Sequence, residues 1–211
     1  MENYSLLEYP GRLIVFEGGH RSGKTTQAKF LVKELLRAGY RCVYTKEPFS
    51  NKLKRPVTFY SKIGAAHPIV LALLVAADRY VHLQYIIQLL RDDFIVVCDR
   101  YYPSSWVYQA IQGVPRQFVR FINKYAPCPD LLFIMKTPLK TRLQRINRDR
   151  RIDRNNYFLA PKVVRKEQRL YDEVIRELKH RQFVIVLNGQ KRQERISAEV
   201  LSAALSLLNP Q

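Results

Sequence analysis

RLIVFEGGHRSGKT, residues 12–25, begins as an apolar run and ends in the pattern glycine, four residues, glycine, lysine, threonine. The apolar run predicts a buried strand over 12–17, and the helical spacing of apolar residues after the pattern predicts a helix over 26–38. Glycines between a strand and a helix let backbone N–H groups turn inward, and the helix N-terminus adds the positive end of its dipole. The stretch therefore predicts a phosphate-binding loop, or P-loop.

The loop carries the side chains that a nucleoside triphosphate needs, and we expect it to bind ATP. Lys24 is expected to reach the β- and γ-phosphates, and the Thr25 hydroxyl is expected to bind Mg²⁺. A second metal ligand is predicted at Asp99, which ends the apolar run 94–98 and would lie at the carboxyl edge of the sheet. The predicted ATP-binding residues are Gly18, Gly19, His20, Arg21, Ser22, Gly23, Lys24, Thr25 and Thr26.

Short apolar runs alternate with helical patterns along the rest of the chain. Further strands are predicted over 41–45, 94–98, 131–135 and 183–187. Helices are predicted over 68–90, 138–150, 156–181 and 195–208, with two short helices inside 103–126. This alternation predicts an α/β fold of the three-layer P-loop NTPase kind, a five-stranded parallel sheet with helices on both faces. No repeat or linker divides the chain, so we expect a single domain over residues 1–211.

The composition limits the compartment and the partners. There are 36 Lys and Arg residues against 18 Asp and Glu, a net charge of +18 that attracts polyanions, although a solvated basic surface explains it equally well. Cys42, Cys98 and Cys128 have no paired or metal-like spacing, which favours free thiols in a reducing cytoplasm. The N-terminus lacks a signal-peptide pattern, and the longest apolar run, 69–77, is too short to span a bilayer. We therefore expect a cytoplasmic protein without a membrane segment.

Several segments resemble the thymidylate kinase family, in the family's order and spacing and along nearly the whole chain. They are Phe16–Gly18 with Gly23–Gln27, Thr45–Pro48, Leu73–Arg79, Asp99–Tyr101 followed by Ser104, Ser105 and the pair Tyr108-Gln109, and Pro129–Leu131. The resemblance implies a nucleoside-monophosphate kinase that transfers the γ-phosphoryl group of ATP in line to dTMP. It also implies a short basic lid at about 148–156 and a homodimer packed through the helix 68–90, although a buried core helix explains the apolar pattern of 68–90 as well.

The resemblance implies roles for acceptor-site residues. Arg100 would hold the acceptor phosphate, because arginine matches phosphate geometry, while Arg79 and Gln109 would hydrogen-bond the thymine edge. Tyr101 would pack near the sugar, and Glu17 would order the magnesium and acceptor region. The bare sequence leaves open that Arg79 is an ion-pair residue and that Tyr108 is core. The predicted acceptor site is His20, Glu47, Val75, Arg79, Arg100, Tyr101, Tyr108 and Gln109.

Phosphoryl transfer spreads negative charge over the γ-phosphoryl oxygens, so a positioned arginine is expected to accelerate it. Arg21, inside the loop, is the first candidate. The arginines around the expected lid are further candidates, namely Arg148, Arg150, Arg151 and Arg154. The predicted catalytic set is Lys24, Arg21, Asp99, Glu17, Arg150 and Arg151.

Departures from the family pattern cluster at the acceptor. His20 stands where the family has an aspartate that accepts a hydrogen bond from the 3′-hydroxyl, and Val75 stands where a phenylalanine stacks on the thymine. Phe49 replaces a glycine and could return an aromatic ring to the pocket. Two alternatives to a dTMP kinase therefore remain at this point. One is a related nucleotide or nucleoside kinase with another acceptor, and the other is a catalytically weak nucleotide-binding protein associated with nucleic acid.

Overall fold

A computed structural model of the chain describes residues 9–63, 67–149, 156–181 and 183–209, and its centre is a parallel sheet. The strands are β1 (Arg12–Glu17), β2 (Cys42–Lys46), β3 (Ile95–Asp99), β4 (Leu131–Lys136) and β5 (Val184–Asn188). Their order is β2-β3-β1-β4-β5, and all four pairings are parallel. The predicted five-stranded parallel sheet is confirmed.

Helices cover both faces of this sheet. They are α1 (Lys24–Arg37), α2 (Asn51–Ile63), α3 (Pro68–Arg91), α4 (Tyr102–Ile111), α5 (Arg116–Ile122), α6 (Leu139–Arg148), α7 (Pro161–Leu178) and α8 (Gln193–Leu208). Side chains of β1 alternate between two cores, as a strand covered on both faces requires. Leu13 and Val15 pack with α3, α4 and α7, whereas Ile14 and Phe16 pack with α1 and α8. The three-layer α/β architecture is therefore confirmed.

One helix, α2, has no counterpart among the predicted elements, because Pro56 lies inside it and interrupts the helical pattern. Its start is set by residues outside the helix. Asp78 of α3 accepts the backbone N–H groups of Phe49 and Ser50 at 2.7 and 2.8 Å, and the Ser50 hydroxyl accepts that of Leu53 at 3.4 Å. Such caps satisfy the N–H groups that the first helical turn leaves unpaired. A tertiary contact thus compensates for a weak local signal.

The other difference concerns the region after the expected lid. The helix predicted over 156–181 is a 3-10 turn, Tyr157–Leu159, followed by α7, which begins at Pro161. Asn156 caps the turn by accepting the N–H of Phe158 at 3.0 Å. Residues 150–155, which include most of the predicted lid, lie outside the described residues.

By length and composition α3 is apolar enough to cross a membrane. Its middle, however, carries Asp78, Arg79 and His82, which are buried and paired inside the protein. A charged centre satisfied by neighbouring elements is typical of a packed helix rather than of a membrane span. Cys42 and Cys98 are buried free thiols, as predicted, and Cys128 is an exposed free thiol.

Candidate active site

The P-loop lies at the carboxyl edge of the sheet, where β1 ends and α1 begins. Gly18 and Gly23 have φ angles of 137° and 105°, which glycine adopts without a steric cost. A Cβ at Gly18 would lie 2.8 Å from the Met135 carbonyl oxygen, so this position also needs glycine for space. Burial, together with the charge of Arg100, lowers the pKa of Lys24 to about 7. Lys24 thus lies close to another positive charge, and an anionic ligand bound in the loop would stabilise the protonated form of Lys24.

Thr25 and Asp99 come together beside the loop, because β1 and β3 are neighbours in the sheet. The Thr25 hydroxyl donates to Asp99 Oδ2 at 2.5 Å, and Asp99 Oδ1 is buried without a partner among the described residues. Mg²⁺ prefers oxygen ligands and is commonly held by one or two protein groups together with substrate phosphates. The described residues contain no cluster of three or more His, Cys, Asp or Glu that could hold a metal alone. The pair therefore fits a magnesium ion shared with a bound phosphate.

A cleft of about 1020 Å³ opens over the loop. Its walls include Arg21, Lys24, Asp99 and Arg148, all predicted site residues. Arg21 forms an ion pair with Asp149, at the end of α6, and thus lies next to the expected lid. The other predicted lid arginines, Arg150, Arg151 and Arg154, lie outside the described residues.

A second cleft, of about 200 Å³, adjoins the first and lies between α2, α3 and α4. The two share four residues, His20, Glu47, Pro48 and Arg100. The predicted acceptor residues that line the second cleft are His20, Glu47, Val75, Arg79, Arg100, Tyr108 and Gln109. Tyr101 does not join them, because its side chain is fully buried in the core. Five lining residues escaped the sequence analysis, namely Val57, Thr58, Leu71, Asn156 and Phe158.

The walls of the second cleft are aliphatic on the side of Val75. Val57 of α2 and Leu71 of α3 join Val75 there. Phe49 does not return a ring to this wall, because it stacks on His82 at 4.3 Å between ring centroids. Aromatic side chains that do line the cleft are Tyr108 and Phe158. Val57 was missed because it belongs to the unpredicted helix α2.

Arg79 is 1% exposed, and the protein itself occupies all its donor groups. Its Nε contacts both Glu47 carboxylate oxygens at 3.1 Å, and its Nη2 donates to Glu47 Oε2 at 2.6 Å. Nη1 donates to Ser105 Oγ at 2.9 Å and to Asn123. Burial alone would raise the pKa of Glu47. Arg79 and His82 nevertheless hold this pKa below its usual value. A bond from Arg79 to a base would therefore require one of these contacts to break, and its thymine contact stays a prediction.

Glu17 lies behind the clefts and caps α4. Its carboxylate, fully buried, accepts the backbone N–H groups of Tyr101 and Ser104 at 2.8 and 3.0 Å and the Tyr171 hydroxyl at 2.9 Å. Burial raises the pKa of Glu17. By holding the start of α4, Glu17 directs Arg100, whose Nη1 donates to Tyr108 OH at 3.0 Å, into the junction of the two clefts.

A buried ion pair that the sequence analysis missed supports the loop from behind. Glu167 of α7 and Arg142 of α6 are 0% and 1% exposed and pair with each other. Arg142 Nε donates to the His20 carbonyl oxygen at 2.8 Å, and a Cβ at Gly19 would lie 2.3 Å from the Arg142 guanidinium. The signal was present in the sequence, since Glu167 interrupts the apolar face of α7, and an inward carboxylate requires a partner.

Comparisons with known proteins agree with this geometry. A family model described as "Thymidylate kinase" matches residues 16–199. A "Probable thymidylate kinase 1" from Saccharolobus solfataricus is 38% identical over 141 residues, which cover 66% of this chain and 72% of that protein. A "Probable thymidylate kinase" from Sulfolobus acidocaldarius is 32% identical over 200 residues, covering 93% of this chain and 98% of that protein. One from Methanocaldococcus jannaschii is 34% identical, with coverages of 89% and 93%.

Proposed function

Since the chain belongs to the thymidylate kinase family, we propose that it transfers the γ-phosphoryl group of ATP to dTMP, giving ADP and dTDP. The observation that carries this proposal is the junction of the two clefts. The larger contains the P-loop and has room for a nucleoside triphosphate, and the smaller adjoins it through His20 and Arg100. A donor and an acceptor phosphate bound on the two sides of this junction would face each other.

On the donor side, the protein would bind and orient the triphosphate of ATP. The loop N–H groups and Lys24 would hold the β- and γ-phosphates, and Thr25 and Asp99 would hold Mg²⁺. A bound Mg²⁺ neutralises charge on the phosphates. Arg21 would stabilise the charge that develops on the γ-phosphoryl oxygens, together with Arg150 and Arg151 of the lid.

On the acceptor side, Arg100 would hold the dTMP phosphate in line with the γ-phosphoryl group, with Glu17 fixing its position through α4. Phosphoryl transfer needs little covalent help, so positioning and electrostatics supply most of the rate. Within a single domain over residues 1–211, a lid at about 148–156 would close over ATP and exclude water, a competing acceptor. Val75 and Gln109 would contact the base, and Tyr101 would support the sugar from the core.

A substrate panel tests the function. A coupled assay with ATP and Mg²⁺ measures the release of ADP. We expect kcat/KM to be highest for dTMP and lower for dUMP, dCMP, UMP and AMP. Thymidine and deoxycytidine belong in the same panel. Preferential turnover of a nucleoside or of another monophosphate would assign another acceptor. Salt-dependent DNA or RNA binding without any transfer would replace the kinase by a nucleic-acid-associated protein.

The outer face of α3 supports a homodimer. Ile69, Leu73, Val81 and Tyr85 recur at intervals of four or eight residues and are 39–47% exposed, so they form an exposed apolar ridge that winds along the helix. An exposed apolar helix face of this length is typical of an interface, and a second copy would cover it by two-fold packing.

Val81→Glu should convert this dimer to a monomer, because the new carboxylate would be buried at the interface without a partner. We expect the dissociation constant to rise at least about a hundredfold, measured by sedimentation velocity at several protein concentrations. Leu36→Glu on α1, where the side chain is 53% exposed, is the matched control and should leave the dimer intact. A monomeric wild-type protein at micromolar concentration would contradict the homodimer.

The proposed compartment is the cytoplasm. Free thiols at Cys42, Cys98 and Cys128 fit a reducing compartment. The cytoplasm is reducing, and it also contains ATP and nucleoside monophosphates.

A further inference from the structure

One buried ion pair holds both backbone polar groups of His20. The His20 N–H donates to Glu167 Oε1 at 3.1 Å, and the His20 carbonyl oxygen accepts Arg142 Nε at 2.8 Å. The other two guanidinium nitrogens of Arg142 are also occupied, since Nη2 donates to Glu167 and Nη1 donates to Gln168 Oε1 at 3.0 Å. Three acceptors in a planar fork fix both the position and the plane of the guanidinium.

The hydrogen bond from Arg142 sets the direction of the peptide that joins His20 to Arg21. In a trans peptide the N–H points opposite to the carbonyl group, so the Arg21 N–H points away from Arg142. His20 and Arg21 line the larger cleft, whereas Arg142 is buried behind the loop. The Arg21 N–H therefore faces the side on which a triphosphate would lie, and no described residue accepts it.

Steric preference at Arg21 opposes this direction. Its φ of 58° lies in the left-handed region, which is unfavourable for a residue with a side chain. Turning the peptide over would change this φ by half a turn, to about −120°, which is the extended region that such residues prefer. It would also direct the His20 carbonyl oxygen into the cleft, where it would repel a phosphate oxygen. A contact from outside the loop must therefore hold the observed direction.

The hydrogen bond from Arg142 is specific to this peptide. The next carbonyl oxygen, that of Arg21, accepts Arg145 Nη1 at 3.1 Å instead. Among the described residues, Arg142 alone donates to the His20 carbonyl oxygen. Resting on the donor side of the proposed function, we propose that Arg142 and Glu167 are positioning residues for the phosphates of ATP. They keep the carbonyl oxygen of the His20–Arg21 peptide turned away from the larger cleft and its N–H turned into it.

A double variant removes the ion pair without leaving one buried charge alone. Arg142→Met keeps most of the side-chain length but donates no hydrogen bond, and Glu167→Gln still offers an oxygen to the His20 N–H. Since both charges are lost together, the protein should fold. Lys140→Met combined with Glu173→Gln, at solvent-accessible positions of the same two helices, is the matched control.

The affinities for ADP and AMP, each with Mg²⁺, give the first test, because AMP lacks the phosphates that the loop is expected to hold. In the double variant Arg142→Met/Glu167→Gln the preference for ADP over AMP should fall at least about tenfold, since a donor to a charged oxygen is turned away. A merely structural weakening of the protein would lower both affinities and leave their ratio unchanged. The control Lys140→Met/Glu173→Gln should keep the wild-type ratio. Competition calorimetry measures all four dissociation constants for each pair of variants.

A spectroscopic measurement on the wild-type protein needs no variant. The amide proton of Arg21 should shift downfield when ADP and Mg²⁺ bind, because a hydrogen bond to a charged oxygen deshields it, and the double variant should lose this shift. An Arg21 amide proton that does not shift in the wild type would overturn the inference. So would a folded double variant with the wild-type preference for ADP over AMP. Absence of dTMP turnover with normal ADP binding would instead overturn the proposed acceptor and leave the positioning role intact.

Discussion

Lys24→Ala should reduce kcat for phosphoryl transfer by at least about a thousandfold. Lys24 is 6% exposed, and its Nζ lies 3.3 Å from the Gly19 carbonyl oxygen, inside the turn of the P-loop. A cation there would act on the charge that develops between the β- and γ-phosphates of a bound triphosphate. The effect should appear in single-turnover rates with saturating ATP and dTMP.

The fold should tolerate Lys24→Ala, because the substitution removes a buried charge rather than a packed apolar group. The melting temperature of the variant should therefore be no lower than that of the wild type. Lys33→Ala, at an exposed position of the same helix, is the matched control and should retain full activity. Near-normal transfer by Lys24→Ala would refute the phosphate-binding role of the loop.

Arg21→Ala should lower kcat by about a thousandfold with a smaller change in the KM for ATP. Arg21 lines the donor cleft from inside the loop, where its φ of 58° is in the left-handed region. We expect the guanidinium to contact the γ-phosphoryl oxygens of bound ATP once it leaves Asp149. A guanidinium that acts mainly in the transition state contributes to kcat more than to binding.

Asp149→Asn separates this role from that of the ion pair. Arg21 and Asp149 are 39% and 12% exposed, and partly exposed pairs contribute little, so kcat should change by less than about fivefold. If Arg21→Ala keeps a near-normal kcat, the charge must come from elsewhere. Arg148→Ala, Arg150→Ala, Arg151→Ala and Arg154→Ala would then identify the arginine that supplies it.

Local patterns predicted most of the architecture. The strands were recognised because residues buried on both faces are apolar without interruption, as in Ile95–Cys98. The helix α2 was missed because its pattern is interrupted by Pro56 and its cap comes from Asp78, 28 and 29 residues away in sequence from the N–H groups it accepts. Where a distant side chain completes an element, a local pattern carries little of the signal.

The acceptor residues show the same division. Arg100, Tyr108 and Gln109 were found through the family resemblance, and the structure brings them to one cleft. The sequence could not show that Arg79 donates hydrogen bonds to Glu47, Ser105 and Asn123, since these partners lie in separate parts of the chain. Nor could it show that Val57 completes the wall beside Val75.

The sequence by itself determined the donor half of this protein. The P-loop is one contiguous stretch whose chemistry depends on local backbone geometry, and the parallel-sheet rule places Asp99 beside it. Only the tertiary structure decided the acceptor half, because its walls come from α2, α3, α4 and the turn before α7. His20 illustrates the reason: it belongs to the loop, yet its ring Nδ1 lies 3.0 Å from Glu167 Oε1, 147 residues further along the chain. A hydrogen bond across such a separation is decided by packing, and no local pattern encodes it.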